Sequence, residues 1–159
     1  RMIVPVVDIS SDPVLKAVAH WLKEQHKSDG LRLPKLIFKG TIFSGTGKGK
    51  GFINLPWVKE QIEDKLGFSP YPGTLNIYLK SGDIKKEKVK DFEGKKVEPK
   101  TGYYSGLLFK ATLDSLESAV VIPSVPNYPS NVLEIISPTY LRGQLGLVDG
   151  STVVVVVNA

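Results

Sequence analysis

The sequence contains no cysteine, and this absence excludes several kinds of chemistry. Disulfide bonds, metal sites built from thiolates and a cysteine nucleophile all require that residue. Long hydrophobic runs are also missing. No apolar stretch approaches the length of about 18 residues that indicates a transmembrane helix, and the first residues lack the length of a signal-peptide core. We therefore expect a cytoplasmic protein that does not bind membranes.

Histidine is scarce, with only His20 and His26 in the chain. Two histidines that bind one metal from a helix stand at positions i and i+4, whereas these two are six positions apart. A histidine metal pair is therefore disfavoured, and we expect both side chains to be solvated or packed on a helix.

The composition is that of a globular domain, with 159 residues of which 42% are hydrophobic and 23% charged. The net charge of +5 favours an anionic partner such as a nucleotide or a nucleic acid. Residues 80–100 are the most highly charged stretch of the chain, but their lysines alternate with acidic residues. This mixture indicates a solvated connection rather than a surface that follows a phosphate backbone.

Residues 1–35 are expected to form an extension with one amphipathic helix. A capping Ser11 and the first-turn Pro13 precede apolar residues at helical spacing up to about Lys27, and a short apolar run lies at residues 3–9. One clear helix is too little for a winged-helix domain, so we expect a packing extension, with residues 36–159 as the main domain.

Residues 44–51 read Ser-Gly-Thr-Gly-Lys-Gly-Lys-Gly, with four glycines at every second position. Backbone N–H groups in such a loop can approach a polyphosphate closely while the lysines neutralise it. The spacing matches neither a Walker loop nor a dinucleotide-binding loop. A solvated turn is the alternative interpretation. Strands are predicted at residues 36–43 and 51–55, which would make this glycine loop the tip of a hairpin.

A second polar feature follows a predicted helix from Pro56 to Gly67. Residues 74–79 alternate, so Thr74 and Asn76 share one face of a strand whose other face is buried. Two neutral oxygen ligands suit a Mg2+ that takes its other ligands from water and phosphates. An ordinary polar strand face is the alternative.

The second half of the chain reads as strands. Strands are predicted at residues 103–113 and 118–123 with a turn at residues 114 and 115, and the valine run at residues 153–157 is predicted to be buried on both faces. Many short strands with glycine and proline turns indicate a mostly β barrel.

The combination of motifs resembles the archaeal CTP-dependent riboflavin kinases over roughly residues 36–157. The matching segments are the glycine loop, the Pro-Gly-Thr-Leu-Asn run at residues 72–76, Leu133–Pro138, Leu141-Arg142 and Leu147–Gly150. The resemblance implies a six-stranded cradle-loop β-barrel that transfers the γ-phosphate of CTP to the 5'-hydroxyl of riboflavin, giving FMN and CDP.

The resemblance also implies a set of site residues. Thr74 and Asn76 would hold Mg2+, and Glu134 would bind the flavin. The nucleotide-binding residues would be Gly45, Thr46, Gly47, Lys48, Gly49, Lys50, Leu141, Arg142, Gly143 and Gln144. The catalytic group is unknown, and its best candidates are Glu134, Lys48 and Lys50.

This sequence departs from the family where a Thr-His-Tyr run usually precedes the glutamate strand. It has Pro126-Asn127-Tyr128 instead, and Asn127, Tyr128 or Ser130 could replace the missing threonine on the flavin side. Gly143 stands where an acidic residue is common, and Ser151 stands where Asp is usual.

We accordingly expect a monomer whose partners are CTP and riboflavin, with Mg2+ as cofactor. Two alternatives come from other classes. A basic cradle-loop barrel could bind nucleic acid as a regulator, with affinity lost steeply in salt. A catalytically silent module could bind nucleotide or flavin alone.

Overall fold

The computed structural model describes residues 13, 14, 17, 35–79, 89 and 92–158. The chain divides into two units, residues 1–35 and 36–159. In the first unit Pro13, Val14 and Ala17 are helical, as the predicted helix requires. The rest of that helix, the apolar run at residues 3–9, both histidines and most of the charged stretch at residues 80–91 lie outside the described residues.

The second unit is built mainly from short strands, with three short helices among the described residues. Its elements in chain order are β1 (Lys35–Phe43), α1 (Lys48–Ile53), α2 (Pro56–Leu66), β2 (Leu75–Leu79), β3 (Lys95–Val97), β4 (Gly106–Leu113), β5 (Leu116–Pro123), β6 (Val132–Ile136), α3 (Leu141–Leu145) and β7 (Thr152–Asn158). No helix among the described residues is long and apolar enough to cross a membrane.

Six strands close into a barrel in the order β4, β5, β6, β2, β1 and β7, and β7 pairs back onto β4. One edge of β4 is shared between two strands. Its first half pairs with β3 and its second half with β7. The expectation of a mostly β, six-stranded barrel is confirmed, with β3 as an added strand.

The barrel interior is filled by side chains that alternate along the strands. Phe38, Ile42, Ile77, Phe109 and Leu113 are all at most 2% exposed. Burial of each such side chain stabilises the fold by about 1.5–3 kcal/mol. Outward-facing positions such as Lys39, Thr41 and Lys110 are polar and exposed, as expected where one face of a strand is in contact with water.

The prediction that the valine run of β7 is buried on both faces is wrong. Val153, Val155 and Val157 are at most 1% exposed, whereas Val154 is 37% exposed. A strand in a small barrel has one face in the core and one outside, so an apolar run is buried on both faces only where another layer covers the outer face.

A second core lies outside the barrel, where α2 packs its Val58, Ile62 and Leu66 against Leu108 and neighbouring residues of the strands. This apolar face and the end of the helix at Gly67 were predicted, and Gly67 has the left-handed φ of 79° that favours glycine.

The helix α2 also covers the outer edge of β3. Gln61 donates from Nε2 to the carbonyl of Glu98 at 3.0 Å, and its Oε1 accepts from the Glu98 N–H at 2.7 Å. The Gln61 amide thus bonds to the chain at the edge of β3 as a neighbouring strand would. This contact protects the edge from pairing with another chain.

The predicted strand at residues 51–55 is wrong, because Lys48–Ile53 form the helix α1. The N–H of Asn54 bonds the carbonyl of Lys50, and the buried Ile53 joins the outer core beside Val58. Those packing partners come from α2 and distant strands, so local alternation could not reveal them. The glycine loop is therefore a connection from strand to helix and not a hairpin tip.

Candidate functional site

A polar cavity of about 710 Å³ opens beside the end of β1. Its walls come from the glycine loop, the polar face of β2, the segment before β6 and α3. The lining residues are Phe43, Ser44, Gly45, Thr46, Gly47, Lys50, Gly73, Thr74, Asn76, Tyr78, Tyr128, Pro129, Asn131, Val132, Glu134 and Arg142.

Three oxygen-bearing side chains meet at the base of this cavity. Asn76 of β2 stands directly opposite Glu134 of β6 in the strand pairing. The hydroxyl of Thr74 donates to Glu134 Oε1 at 3.0 Å and lies 3.4 Å from Asn76 Oδ1. Thr74 therefore connects the carboxylate of one strand to the amide of the other.

The other oxygen of the same carboxylate is also bonded. Tyr128 donates its hydroxyl to Glu134 Oε2. Burial raises the pKa of the Tyr128 phenol, and the hydrogen bond to Glu134 and its negative charge raise that pKa further. Tyr128 therefore stays a neutral donor, and Glu134 is held on both oxygens.

The glycine loop packs directly on Asn76. A methyl group on Gly45 would stand 2.4 Å from Asn76 Nδ2, so a larger residue here would require the Asn76 amide to move. Gly47 precedes α1 with a left-handed φ of 82°. Lys50 lines the cavity, and its Cβ would lie 3.8 Å from a methyl group on Gly73. The loop and the turn before β2 thus lie beside Asn76, and Lys50 lines the same cavity as Thr74 and Asn76.

A second polar cluster ties the start of the loop to the last third of the chain. Asp149 accepts from the Ser44 hydroxyl at 2.8 Å and from Arg142 Nη2 at 3.0 Å. Arg142 also donates to the carbonyl of Phe43 at 3.3 Å. Hydrogen bonds from Ser44 and then from Arg142 hold the pKa of Asp149 below its ordinary value of 3.8.

An apolar cavity of about 380 Å³ adjoins the polar one. Thr74, Tyr128 and Glu134 line both cavities. The rest of its wall is apolar or aromatic, and includes Phe52, Ile53, Val58, Val97, Tyr103, Tyr104, Leu108, Val121 and Val125. A flat hydrophobic ring could enter here while its polar tail reached the Glu134 carboxylate.

A smaller cavity of about 90 Å³ lies on the other side of Arg142. It is bounded by Tyr71 and Tyr140, whose rings stack with centroids 4.8 Å apart. A methyl group on Gly143 would stand 2.7 Å from the ring of Tyr140, so the usual acidic residue would displace that ring. Glycine at position 143 therefore leaves room for the stacked rings of Tyr71 and Tyr140.

Comparison with known proteins gives a family for this fold and site. A family model named CTP-dep_RFKase and described as "Domain of unknown function DUF120" matches residues 42–157. The chain belongs to this riboflavin kinase family. Both the glycine loop and the strands carrying Thr74, Asn76 and Glu134 lie within the matched range.

Individual relatives agree with the family model. The chain is 39% identical over 121 residues to a riboflavin kinase of Archaeoglobus fulgidus, covering 72% of this chain and 52% of the relative. It is 40% identical over 121 residues to one of Pyrobaculum aerophilum, covering 72% and 57%. It is 36% identical over 127 residues to one of Ignicoccus hospitalis, covering 77% and 71%. The chain spans about half the length of several of the relatives that it matches.

Most site residues expected from the riboflavin kinase family meet in the polar cavity. These are Gly45, Thr46, Gly47, Lys50, Thr74, Asn76, Tyr128, Glu134 and Arg142. Leu141 lines the small cavity, whereas Gly143 and Gln144 are exposed and line neither of the two. Asn127 occupies a turn position with a φ of 59° and lines neither large cavity. Lys48 and Gly49 belong to α1, but the structure does not describe their side-chain surroundings.

Sequence reasoning missed several residues of the candidate site. Tyr78 continues the alternation of Thr74 and Asn76, so the pattern could have identified it as a cavity residue. Asp149 lies in a segment that matches the family, but nothing near it in the sequence indicates its hydrogen bond to Ser44, which is 105 positions away. The apolar cavity had no local signal, because its wall comes from five separated segments.

Proposed function

We propose that this protein is a CTP-dependent riboflavin kinase that transfers the γ-phosphate of CTP to the 5'-hydroxyl of riboflavin, with FMN and CDP as products. The observation that carries the proposal is the pair of adjoining cavities. One is polar, the other is apolar, and Thr74, Tyr128 and Glu134 line both. A phosphate donor and a flat hydrophobic acceptor could meet at those three side chains. The names of the family and its relatives supply the identity of the two substrates.

The nucleotide is assigned to the polar cavity, whose volume lies within the range of about 300–1,000 Å³ typical of ligand sites. Backbone N–H groups of the glycine loop and the Lys50 ammonium would face its phosphates, as would the Lys48 side chain. Arg142 stands between this cavity and the small one beside Leu141, and that smaller space is assigned to the cytidine end.

Thr74 and Asn76 are assigned to Mg2+. Their oxygens lie 3.4 Å apart, close to the spacing of about 3.0 Å between adjacent corners of an octahedron with ligand distances near 2.1 Å. No cluster of three or more His, Cys, Asp or Glu residues that could hold a metal occurs among the described residues. Two neutral protein ligands leave the remaining positions to water and phosphate oxygens, the usual pattern for Mg2+ bound with a nucleotide. Bound there, the ion would neutralise charge on the phosphates.

Riboflavin is assigned to the apolar cavity, with its 5'-hydroxyl at Glu134. The carboxylate would accept the hydrogen bond of that hydroxyl and aim its oxygen at the phosphate. Pro126 carries no hydroxyl where the family usually has threonine, but Tyr128 from the same loop reaches Glu134. Tyr128 is therefore the substitute polar contact on the flavin side.

Positioning and charge neutralisation are enough for this chemistry. Phosphoryl transfer proceeds through a loose transition state, and enzymes accelerate it mainly by alignment and electrostatics. The described side chains supply one orienting carboxylate, one lysine and one arginine around the cavity. We further propose that residues 36–159 form the kinase domain, that residues 1–35 are a packing extension, and that the protein is a cytoplasmic monomer.

The test is incubation of the purified protein with riboflavin, Mg2+ and CTP, ATP, GTP or UTP in turn, followed by chromatographic separation of FMN from riboflavin. FMN formed with CTP, and lost when EDTA removes Mg2+, is the expected result. Absence of FMN with every nucleotide, while CDP or riboflavin still binds, would identify a silent binding module. Absence of both bindings together with salt-sensitive binding of DNA would favour the nucleic-acid alternative.

A further inference from the structure

The hydrogen-bond chain that runs from Tyr128 through Glu134 to Thr74 links the flavin side of the site to the metal side. Each carboxylate oxygen of Glu134 accepts one hydroxyl, from Thr74 at 3.0 Å and from Tyr128. The relative exposure of Glu134 is intermediate, and burial raises the pKa of the Tyr128 phenol. Hydrogen bonds in such partly dry surroundings are stronger than in water.

The direction of the Thr74 proton decides whether the hydroxyl can bind a cation. A threonine hydroxyl has one proton and two lone pairs, and only the lone pairs can bind a cation. Because Glu134 takes the proton, the lone pairs are left for the side facing Asn76, whose Oδ1 lies 3.4 Å away. Without an acceptor at the position of Glu134, the hydroxyl would be free to turn its proton toward Asn76 Oδ1 and remove both oxygens from the cation.

We propose that Glu134 is a positioning residue for the Mg2+ site, that Tyr128 holds Glu134 in this role, and that the metal and flavin sites are thereby coupled. This inference rests on the proposed function for the identity of the ligands. It assigns to Glu134 a task beyond contact with the acceptor, and it assigns Tyr128 to the metal side of the reaction through one intervening carboxylate. Groups that orient metal ligands in this way typically change metal affinity by about 10–100-fold when they are removed.

Binding of riboflavin would change the hydrogen bonds of Glu134. Riboflavin at Glu134 would use an oxygen that Tyr128 or Thr74 now occupies. If its hydroxyl replaces that of Tyr128 at Oε2, Thr74 stays aligned at Oε1 and both ligands bind together. Reciprocity requires that Mg2+ change the affinity for riboflavin by the same factor by which riboflavin changes the affinity for Mg2+.

The test measures CDP binding by calorimetry in EDTA and in Mg2+, with no riboflavin present and therefore no turnover. The ratio of the two dissociation constants reports the contribution of Mg2+. For Glu134→Ala we expect unchanged binding in EDTA, which also shows that the variant is folded, and a ratio reduced by about 10-fold or more. Tyr128→Phe should reduce the ratio by a smaller factor, since Glu134 keeps its bond to Thr74.

Two further variants separate orientation from charge. Glu134→Gln keeps an oxygen that can accept the Thr74 proton but removes the negative charge, and it should retain most of the wild-type ratio. Glu117→Ala removes a carboxylate from an exposed position of β5 that lines none of the three cavities, and it should keep the wild-type ratio.

The outcomes distinguish this inference from the proposed function. If Glu134→Ala keeps the wild-type ratio, Glu134 does not position the metal ligands. That result would leave the proposed kinase function unaffected. Equal losses in Glu134→Gln and Glu134→Ala also overturn it, in favour of a simple charge effect. If the wild-type protein binds CDP equally with and without Mg2+, the assignment of the metal site is wrong. If it binds no CDP, the proposed function is wrong as well.

Discussion

The backbone of Gly45 lies against the side-chain amide of Asn76, so closely that a methyl group on Gly45 would stand 2.4 Å from Asn76 Nδ2. The glycine loop and the polar face of β2 are therefore parts of one surface. A glycine that sequence reasoning connects with phosphate binding also determines where a candidate metal ligand can stand.

Replacing Gly45 with alanine should impair the enzyme by moving Asn76. Gly45 does not have a left-handed φ, so the added methyl acts through the contact with Asn76 rather than through backbone strain. We expect FMN formation to fall by at least about 10-fold, since small displacements of reacting groups are costly in phosphoryl transfer. The measurement is the rate of FMN formation with CTP and Mg2+.

The matched control for this change is Gly51→Ala. Gly51 lies in α1, outside the expected nucleotide-binding residues and the linings of all three cavities, and a methyl group there would meet nothing within 4 Å. Alanine should stabilise the helix by about 0.5–1 kcal/mol and leave FMN formation unchanged. Equal activity of the two variants would show that the Gly45 contact does not matter.

Replacing Asn76 with alanine should remove one of the two assigned Mg2+ ligands. We expect the rate of FMN formation to fall by about 100-fold or more, because charge on the transferring group loses its neutralisation. The side chain of Asn76 is not part of the core, so thermal unfolding should occur near the wild-type temperature. A variant that keeps both its activity and its Mg2+ dependence would exclude Asn76 as a ligand.

Asp149→Asn should change stability in a pH-dependent way. Hydrogen bonds from Ser44 and Arg142 lower the pKa of Asp149 in the folded protein below its ordinary value of 3.8. A lowered pKa means that the carboxylate stabilises the fold above about pH 3.8, and that this stabilisation is lost as the pH falls through the folded-state pKa. The urea midpoint of the variant should therefore lie below that of the wild type at pH 6.

The gap between the two midpoints should close in acid, because a protonated Asp149 resembles asparagine. A gap of constant size from pH 6 to pH 2.5 would mean that the loss comes from packing and not from the carboxylate. The same variant should raise the KM for CTP more than that for riboflavin, since Asp149 holds Arg142 and the start of the glycine loop.

Tyr103→Ala should weaken riboflavin binding and leave CTP binding unaffected. The Tyr103 ring lines the apolar cavity and contacts Trp57 at a centroid distance of 5.2 Å. Loss of this aromatic wall should raise the riboflavin dissociation constant by about 10-fold, equivalent to about 1.4 kcal/mol. Quenching of riboflavin fluorescence measures this constant.

The control for the aromatic wall is Tyr103→Phe, which keeps the ring and should bind riboflavin as the wild type does. If Tyr103→Ala instead raised the KM for CTP and spared riboflavin, the assignment of the flavin to the apolar cavity would be wrong.

Local patterns predicted much of the fold. The alternation of Leu75, Ile77 and Leu79 placed Thr74 and Asn76 on one face, and the run from Pro56 to Gly67 had both helix boundaries and its buried face. The turn between β4 and β5 at Asp114 and Ser115 was also visible, and both residues have the positive φ of a tight hairpin. These features depend on residues close together in the chain.

The errors have one physical cause. The helix at Lys48–Ile53 and the exposed outer face of β7 depend on which distant elements pack against those segments. Glycine-rich and all-valine stretches have little periodic signal of their own, so tertiary contacts decide their conformation and burial.

By itself the sequence determined most of the strands and the main helix, and it predicted a phosphate-binding loop and two oxygen ligands, because each of these features is encoded over a few residues. Only the tertiary structure decided that Thr74 bonds Glu134 across 60 positions and that Ser44 bonds Asp149 across 105. Closure of the barrel brings these separated strand ends together. The polar and apolar cavities, and the three side chains that line both, exist only as a consequence of that closure.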